Sequence, residues 1–313
     1  MPIPTTSLDE GDVKRLREQL VPIVSDGGRT DVQVSPILWV ILPFIGLMVA
    51  MVVVMAMLFA QVFTYIDADE YDPAGPYSPD FQVYLVVFYA ISVIFYAVMA
   101  LLAYRLVKRH NGHFARERRL RDVIMSFSQR STGAGFQYSI PANAETTRSP
   151  ILWAMVIALP GIMTLISVVA MSEITSVTDS DIGLYVLIAL VQGVISVGCL
   201  IAEFYLLYFL TVEMANHHKR WMGFVRETKV LFGRAGYTAG GISEPNSLPD
   251  RSIALYVIAS VFTGVFVIYW LYSIVKDGNE HFRHHRHFED QLVAFLSTRP
   301  HRVEDQDASI SWV

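Results

Sequence analysis

Between Ile37 and Thr64 the chain carries no charged side chain. That stretch exceeds the roughly 20 residues a helix needs to cross a bilayer, so it is expected to span one with some tilt or overhang. Comparable runs extend from about Phe81 to Val107, from Ile151 to about Met171 and from about Ile182 to Met214. The composition reflects these blocks. Only 17% of the residues are charged, against about 25% in an average soluble domain. The net charge of −5 is too mild to imply a nucleic-acid partner. Cys199 is the single cysteine, which excludes an intrachain disulfide and a cysteine metal cluster. The first 35 residues lack the charged-then-apolar build of a cleavable signal, so the first apolar segment is expected to remain as an anchor.

A second pattern is laid over the apolar blocks. Asn, any residue and His are followed nine residues later by an acid and five further on by Phe. The copies are Asn111, His113, Asp122 and Phe127; Asn216, His218, Glu227 and Phe232; and Asn279, His281, Asp290 and Phe295. Val107, Val212 and Val275 each stand four residues before the Asn. Ser149-Pro150-Ile151-Leu152-Trp153 also repeats Ser35-Pro36-Ile37-Leu38-Trp39 letter for letter. Such register without gaps marks an internal repeat. The unit reads as a Pro-led helix, an acidic loop, a second helix, Asn-x-His and an amphipathic stalk.

The expected fold is therefore an all-α integral membrane protein. It has duplicated transmembrane hairpins, a shortened third unit and amphipathic cytoplasmic stalk helices. Residues 1–35 form an N-terminal segment with an amphipathic helix from about Leu8, after a capping box at Ser7 and Glu10, to Leu20. Val13, Leu16, Leu20 and Val24 share one face, and the helix is expected to end near Pro22. Residues 36–127 are the first hairpin and stalk, with a kink expected at Pro43 and Gly46. A linker covers 128–149. Residues 150–232 form the second hairpin and stalk, with an interruption expected near Pro160-Gly161. A second linker covers 233–248, the third unit 249–298 and a polar tail 299–313.

Orientation follows from charge. The stalks are basic, with Arg116, Arg118, Arg119 and Arg121 in the first and Lys219, Arg220, Arg226 and Lys229 in the second. The hairpin loops hold Asp67, Asp69, Glu70, Asp72 and Asp80, then Glu173, Asp179 and Asp181, and no base. Positive charge marks the cytoplasmic side, so the N-terminus and stalks are expected inside a cell membrane. The third copy raises a parity problem. Ile253 to Val275 is one apolar run of 23 residues. A single crossing would put the third Asn-x-His outside. A break at Thr263-Gly264 would instead give two arms of about 16 Å, a re-entrant hairpin led by Pro249. Both readings stay open at the level of sequence.

Gly264-Val265-Phe266-Val267-Ile268-Tyr269-Trp270-Leu271-Tyr272 resembles the Gly-Ile-Tyr-x-x-Tyr-Trp-Leu-Tyr run of a widespread prokaryotic membrane-protein family. That family places a Thr two residues before the Gly, where this chain has Thr263 adjacent to it. The resemblance spans about 40 of the 313 residues. It implies a membrane location and no particular activity.

Candidate chemistry is sparse. All nine histidines lie beyond the ends of the apolar runs. His281 and His285, and His284 and His287, have helical spacings that suit a divalent metal. No third ligand is visible, and imidazole also suits the headgroup zone, so neither a metal nor a cofactor is assigned. Within one copy the His points about 200° away from the Asn. The motif is therefore expected to be structural, with the Asn of one stalk meeting the acid of the next. Gln192, Ser196, Cys199 and Glu203 form a polar stripe within the fourth apolar run, and it is expected to face the bundle interior. No phosphate loop, nucleophile elbow or zinc-protease motif occurs. The expectation is a non-enzymatic membrane scaffold or assembly component, as a homo-oligomer or with other membrane proteins. Anionic lipid headgroups are expected at the basic stalks. A small channel or transporter using Glu203 is the alternative.

Overall fold

The computed structural model describes residues 10–67, 79–132, 145–172, 179–234, 241–243 and 247–298. Ser7 of the capping box, most of both acidic loops and the tail from residue 299 lie outside these. Among the described residues every regular element is helical. Helix α1 is Glu10–Ser25, α2 is the single turn Gly27–Thr30 and α3 is Leu42–Asp67, entered through a π-helical turn at Ile37–Ile41. Then come α4 (Pro79–Thr132), α5 (Pro150–Ser172), α6 (Asp179–Arg234), α7 (Ile253–Thr263) and α8 (Phe266–Ser297). Four of these are long and apolar enough to cross a membrane, over Ile37–Ala60, Val86–Arg130, Pro150–Val169 and Val186–Arg234.

Prolines do less damage than their positions suggest. Helix α1 runs through Pro22 to Ser25 instead of stopping. The last turn is closed on the Pro22 carbonyl. Ser25 Oγ donates to it at 2.8 Å and the Asp26 N–H at 3.2 Å. Helix α5 is likewise continuous through Pro160-Gly161, where an interruption was expected. Gly161 serves helix approach: a Cβ there would lie 2.9 Å from Tyr96 Cβ on α4. At Pro43 the consequence appears one turn earlier. The proline ring would press on the carbonyl four residues back, and the preceding turn is widened to π, with the Leu42 N–H reaching the Ile37 carbonyl.

Helices α4 and α6 pass through their Asn-x-His segments without a break. They end at Thr132 and Arg234, so residues 128–132 and 233–234 belong to helices and not to linkers. No proline or glycine stands between Phe127 and Gly133 to stop α4. The third apolar run is a helical hairpin. Helix α7 ends after 11 residues at Gly264, whose φ of 63° reverses the chain; that conformation costs glycine little. Tyr256 of α7 packs on Phe266 and Trp270 of α8 at 5.2 and 5.6 Å. Below it the Arg251 guanidinium ties the entry of α7 to Asp277 of α8 at 2.9 Å. The hairpin starts three residues later than Pro249. Ser252 caps α7 by accepting from Leu255 N, as Ser35 does from Leu38 N and Ser149 from Leu152 N.

The distal parts of α4, α6 and α8 converge with α1 on one core. Val13, Leu16 and Leu20 of α1 meet Leu120, Phe127, Trp221, Phe224, Phe232, Phe288 and Leu292 there. The Phe127 and Phe232 rings lie 6.4 Å apart, and Phe232 and Phe295 5.1 Å apart. Phe232 is fully buried between the other two. Phe232→Ala should therefore destabilise the protein by about 3–5 kcal/mol, read as a lower midpoint of thermal unfolding in detergent. An unchanged midpoint would place the ring outside the core.

Candidate functional site

Directly below the apolar segments the helices turn polar groups inward. His113 and Arg116 come from α4, His217 and His218 from α6, and His281, His285 and Glu289 from α8; all are buried. Two carboxylates reach in from the segments that precede α3 and α5. Asp31 accepts from His113 Nδ1 at 2.9 Å and from Arg116 at 2.6 Å. Glu145 pairs with His217 Nδ1 at 3.2 Å and receives both terminal nitrogens of Arg121 at 2.9 and 3.0 Å. Arg116 also donates to Glu289 at 2.6 Å, and Arg121 to Glu117. Asp31 and Glu145 thus each hold a histidine together with arginine.

Four imidazoles meet at the centre. One nitrogen each of His113, His217, His281 and His285 lies within 4.8 Å of those of the other three. Donor–acceptor logic fixes two tautomers. A carboxylate can only accept, so His113 and His217 carry their protons on Nδ1 and turn lone pairs on Nε2 elsewhere. Both Nε2 atoms are buried without a hydrogen-bond partner, as are His281 Nε2 and both nitrogens of His285. His285 is held by stacking on Trp221, with ring centres 3.7 Å apart. His281 Nδ1 sits 3.0 Å from His218 Nδ1, and His218 Nε2 receives the Leu248 N–H at 3.3 Å.

The electrostatics follow from dehydration. Burial pushes His217 and His110 down to about 3, and His281 and His285 well below the usual imidazole range. The rings are therefore neutral at physiological pH. Burial pushes Glu145 up, but its bonds to His217 and Arg121 outweigh this and hold it well below the carboxylate range. Burial dominates at Glu117 and Glu289, raised to about 8 and about 7.

Two of the three repeated asparagines bond backbone and not the acids of neighbouring helices. Asn279 accepts from Val34 N at 3.2 Å and donates to Val34 O at 2.7 Å. Asn111 makes the same pair with Arg148, at 3.2 and 2.6 Å. Both partners stand directly before the Ser-Pro that opens a membrane helix. Asn216 is exposed, Asp122 and Asp290 are at the surface and Glu227 is half-buried. His113 and His281 enter the centre from the repeated motif. At the second copy His217 enters it, and His218 stands behind His281. Six of the nine histidines are buried among the helices, so their rings are turned toward protein.

Along the intramembrane stripe only Cys199 is buried, Gln192 and Glu203 are half-buried and Ser196 faces outward. The stripe therefore does not face one interior as expected. Gln192 is engaged by Ser167 of α5 at 2.8 Å. Sequence reasoning missed Asp31, Glu145, Arg116, His217, His285 and Glu289 as partners in one site. A signal for two of them was present: Asp31 and Glu145 each stand four residues before the repeated Ser-Pro-Ile-Leu-Trp. No family model, curated protein or solved structure matches the chain.

His110 offers a pH test. Both its ring nitrogens are buried without partners, and the ring lies tilted against Phe114 with centres 3.9 Å apart. The unfolded chain takes up this proton near pH 6.5, whereas the folded chain refuses it until about 3, so its contribution to stability falls as pH drops through that window. By pH 5 the loss is about 2 kcal/mol. His110→Phe should match wild type at pH 8 and exceed it at pH 5 in chemical denaturation. Equal pH dependence of the two proteins would show that His110 titrates normally.

Proposed function

We propose that the chain is a membrane-anchored structural component without catalysis, built from hairpin units whose stalks close into a cytoplasmic layer. The observation that carries this reading is the shared core below the membrane segments, in which α1, α4, α6 and α8 bury one another's apolar faces. Charged pairs within that layer tie the segments before α3 and α5 to the long helices, as expected of a scaffold. Asn279 gripping the entry of α3 and Asn111 gripping the entry of α5 support the view that the units follow one another around a ring. The third unit, α7 with the start of α8, is then a re-entrant hairpin beside the two full ones.

The exposed bases Lys108, Arg119, Lys219 and Arg226 sit on the polar parts of these helices. They would favour anionic headgroups of the inner leaflet, at about 1 kcal/mol per base near the surface. Transport along the stripe at Glu203 is the weaker reading, because Ser196 faces outward and Gln192 is spent on Ser167. Partners are membrane lipids and, for an assembly component, further copies or other membrane proteins.

The orientation is tested in a Cys199→Ser background with single cysteines. Those at Ala74 and Ser176 should react with a membrane-impermeant maleimide in intact cells. Those at Ser126 and Ser297, both exposed at the other end of the bundle, should react only after permeabilisation. The reverse pattern would refute the cytoplasmic placement, and external labelling of Ser297 alone would refute the re-entrant hairpin. Proteoliposomes should carry no cation or proton flux, and flux abolished by Glu203→Gln would replace the scaffold reading with a channel.

A further inference from the structure

We propose that His113, His217, His281 and His285 bind one divalent first-row transition-metal ion, of the zinc or ferrous class, through imidazole nitrogen alone. The ligand set is drawn from three helices, and its members are fully buried. The site is independent of which side of the membrane the layer occupies.

The first support is a hydrogen-bond deficit. His113 Nε2 and His217 Nε2 must present lone pairs, because each Nδ1–H is given to a carboxylate. Those lone pairs have no donor, although both rings are fully buried. Such a group in a native protein calls for an ion or a water. Several imidazole lone pairs facing one another repel, and a cation at their centre turns that repulsion into coordination.

The second support is the outer ring of partners. A metal-bound histidine characteristically donates its other ring N–H to a carboxylate or carbonyl, which fixes the tautomer and raises ligand basicity. Asp31 does this for His113 and Glu145 for His217, and each carboxylate is itself anchored by an arginine. Behind His281 stands His218, whose Nε2 accepts from Leu248 N and whose proton is therefore on Nδ1, facing His281 Nδ1. For His281 to ligate through Nε2, its Nδ1–H must donate to His218 Nδ1; His218 then carries its proton on Nε2, and the long 3.3 Å contact from Leu248 N is given up. His285 has both nitrogens available.

The third support is chemical type. An all-imidazole shell suits zinc, iron, copper and nickel and is poor for magnesium or calcium, which take oxygen. The second buried group within ligand reach, Glu117, Glu145 and His217, is a weaker candidate. Glu117 and Glu145 there are already committed to Arg121. The surface pair His284 and His287 lacks further histidines beside it and defines the control.

The test uses full-length protein in detergent, stripped with a chelator and titrated with Co2+ and then Zn2+. Wild type should take up one equivalent of Co2+ with the visible absorption of nitrogen-ligated cobalt. Zn2+ should bleach that absorption, and either metal should raise the unfolding midpoint. His285→Phe keeps the stacking on Trp221 and sacrifices no hydrogen bond, so it should fold and bind Co2+ at least tenfold more weakly. Glu145→Gln should weaken binding about 10–100-fold, as an outer-shell partner does, without removing a ligand. His287→Ala should bind as wild type. The proposal is overturned if stripped wild type takes up neither metal, leaving a hydrated imidazole core. It is equally overturned if His285→Phe binds as tightly as wild type, or if His287→Ala abolishes binding.

Discussion

Two buried carboxylates hold the base of the molecule together. Asp31 and Glu145 sit at bends in the non-helical segments between helices. Each binds a histidine on one long helix together with an arginine of α4. Taking such charges from water costs several kcal/mol per ion, and only dense pairing offsets it. The pairing is dense here, since Arg116 bridges Asp31 to Glu289 and Arg121 bridges Glu145 to Glu117. What the network fixes is geometry. It decides how far α4, α6 and α8 rotate about their axes, and hence which side chains meet on the bundle axis.

The asparagines add a second set of ties at a different level. Asn279 is on the last helix and grips the chain entering the first membrane helix, while Asn111 grips the chain entering the second hairpin. A primary amide suits this role because it offers one donor and one acceptor at the spacing of a peptide group. Arg109 reinforces the first grip, donating to Asn279 Oδ1 at 2.7 Å. It can do so because Gly278 leaves room: a Cβ there would lie 2.8 Å from the arginine's Nη2. The third place in the scheme departs from this pattern. Asn216 is exposed, and Arg251 is tied to Asp277 within its own hairpin.

Much of the fold was legible in the residues. Charge-free runs predict long apolar helices, and Gly264 is the one glycine where the described chain needs a positive φ. Helix ends were read less well. A proline reads as a breaker in sequence, whereas Pro22 and Pro160 sit inside helices, their own carbonyls accepting from the hydroxyls of Ser25 and Thr164. The site was nearly invisible for a geometric reason. Within a single helix the metal-like spacing of His281 and His285 provides only two ligands. The others lie 60 or more positions away, on helices whose rotation depends on Asp31 and Glu145. The repeat drew attention to His218 by its register, yet its neighbour His217 points inward, because the polar face of α6 is turned toward Glu145.

This departure from register bears on how the centre is built. Three strictly equivalent helices would present three equivalent histidines, each backed by a carboxylate. The chain instead offers His113 with Asp31 and His217 with Glu145, and a third sector in which the entering segment has Leu248 where the acids stand. In that sector His218 takes the place of the missing carboxylate behind His281, and His285, one turn further along α8, fills the remaining side of the centre. Replacing a charged acceptor with a neutral imidazole removes one buried negative charge from the outer ring. An added aromatic ring stacked on Trp221 closes the space toward the apolar core. The asymmetry thus adds a fourth imidazole to what three equivalent sectors would supply, and all four rings are buried.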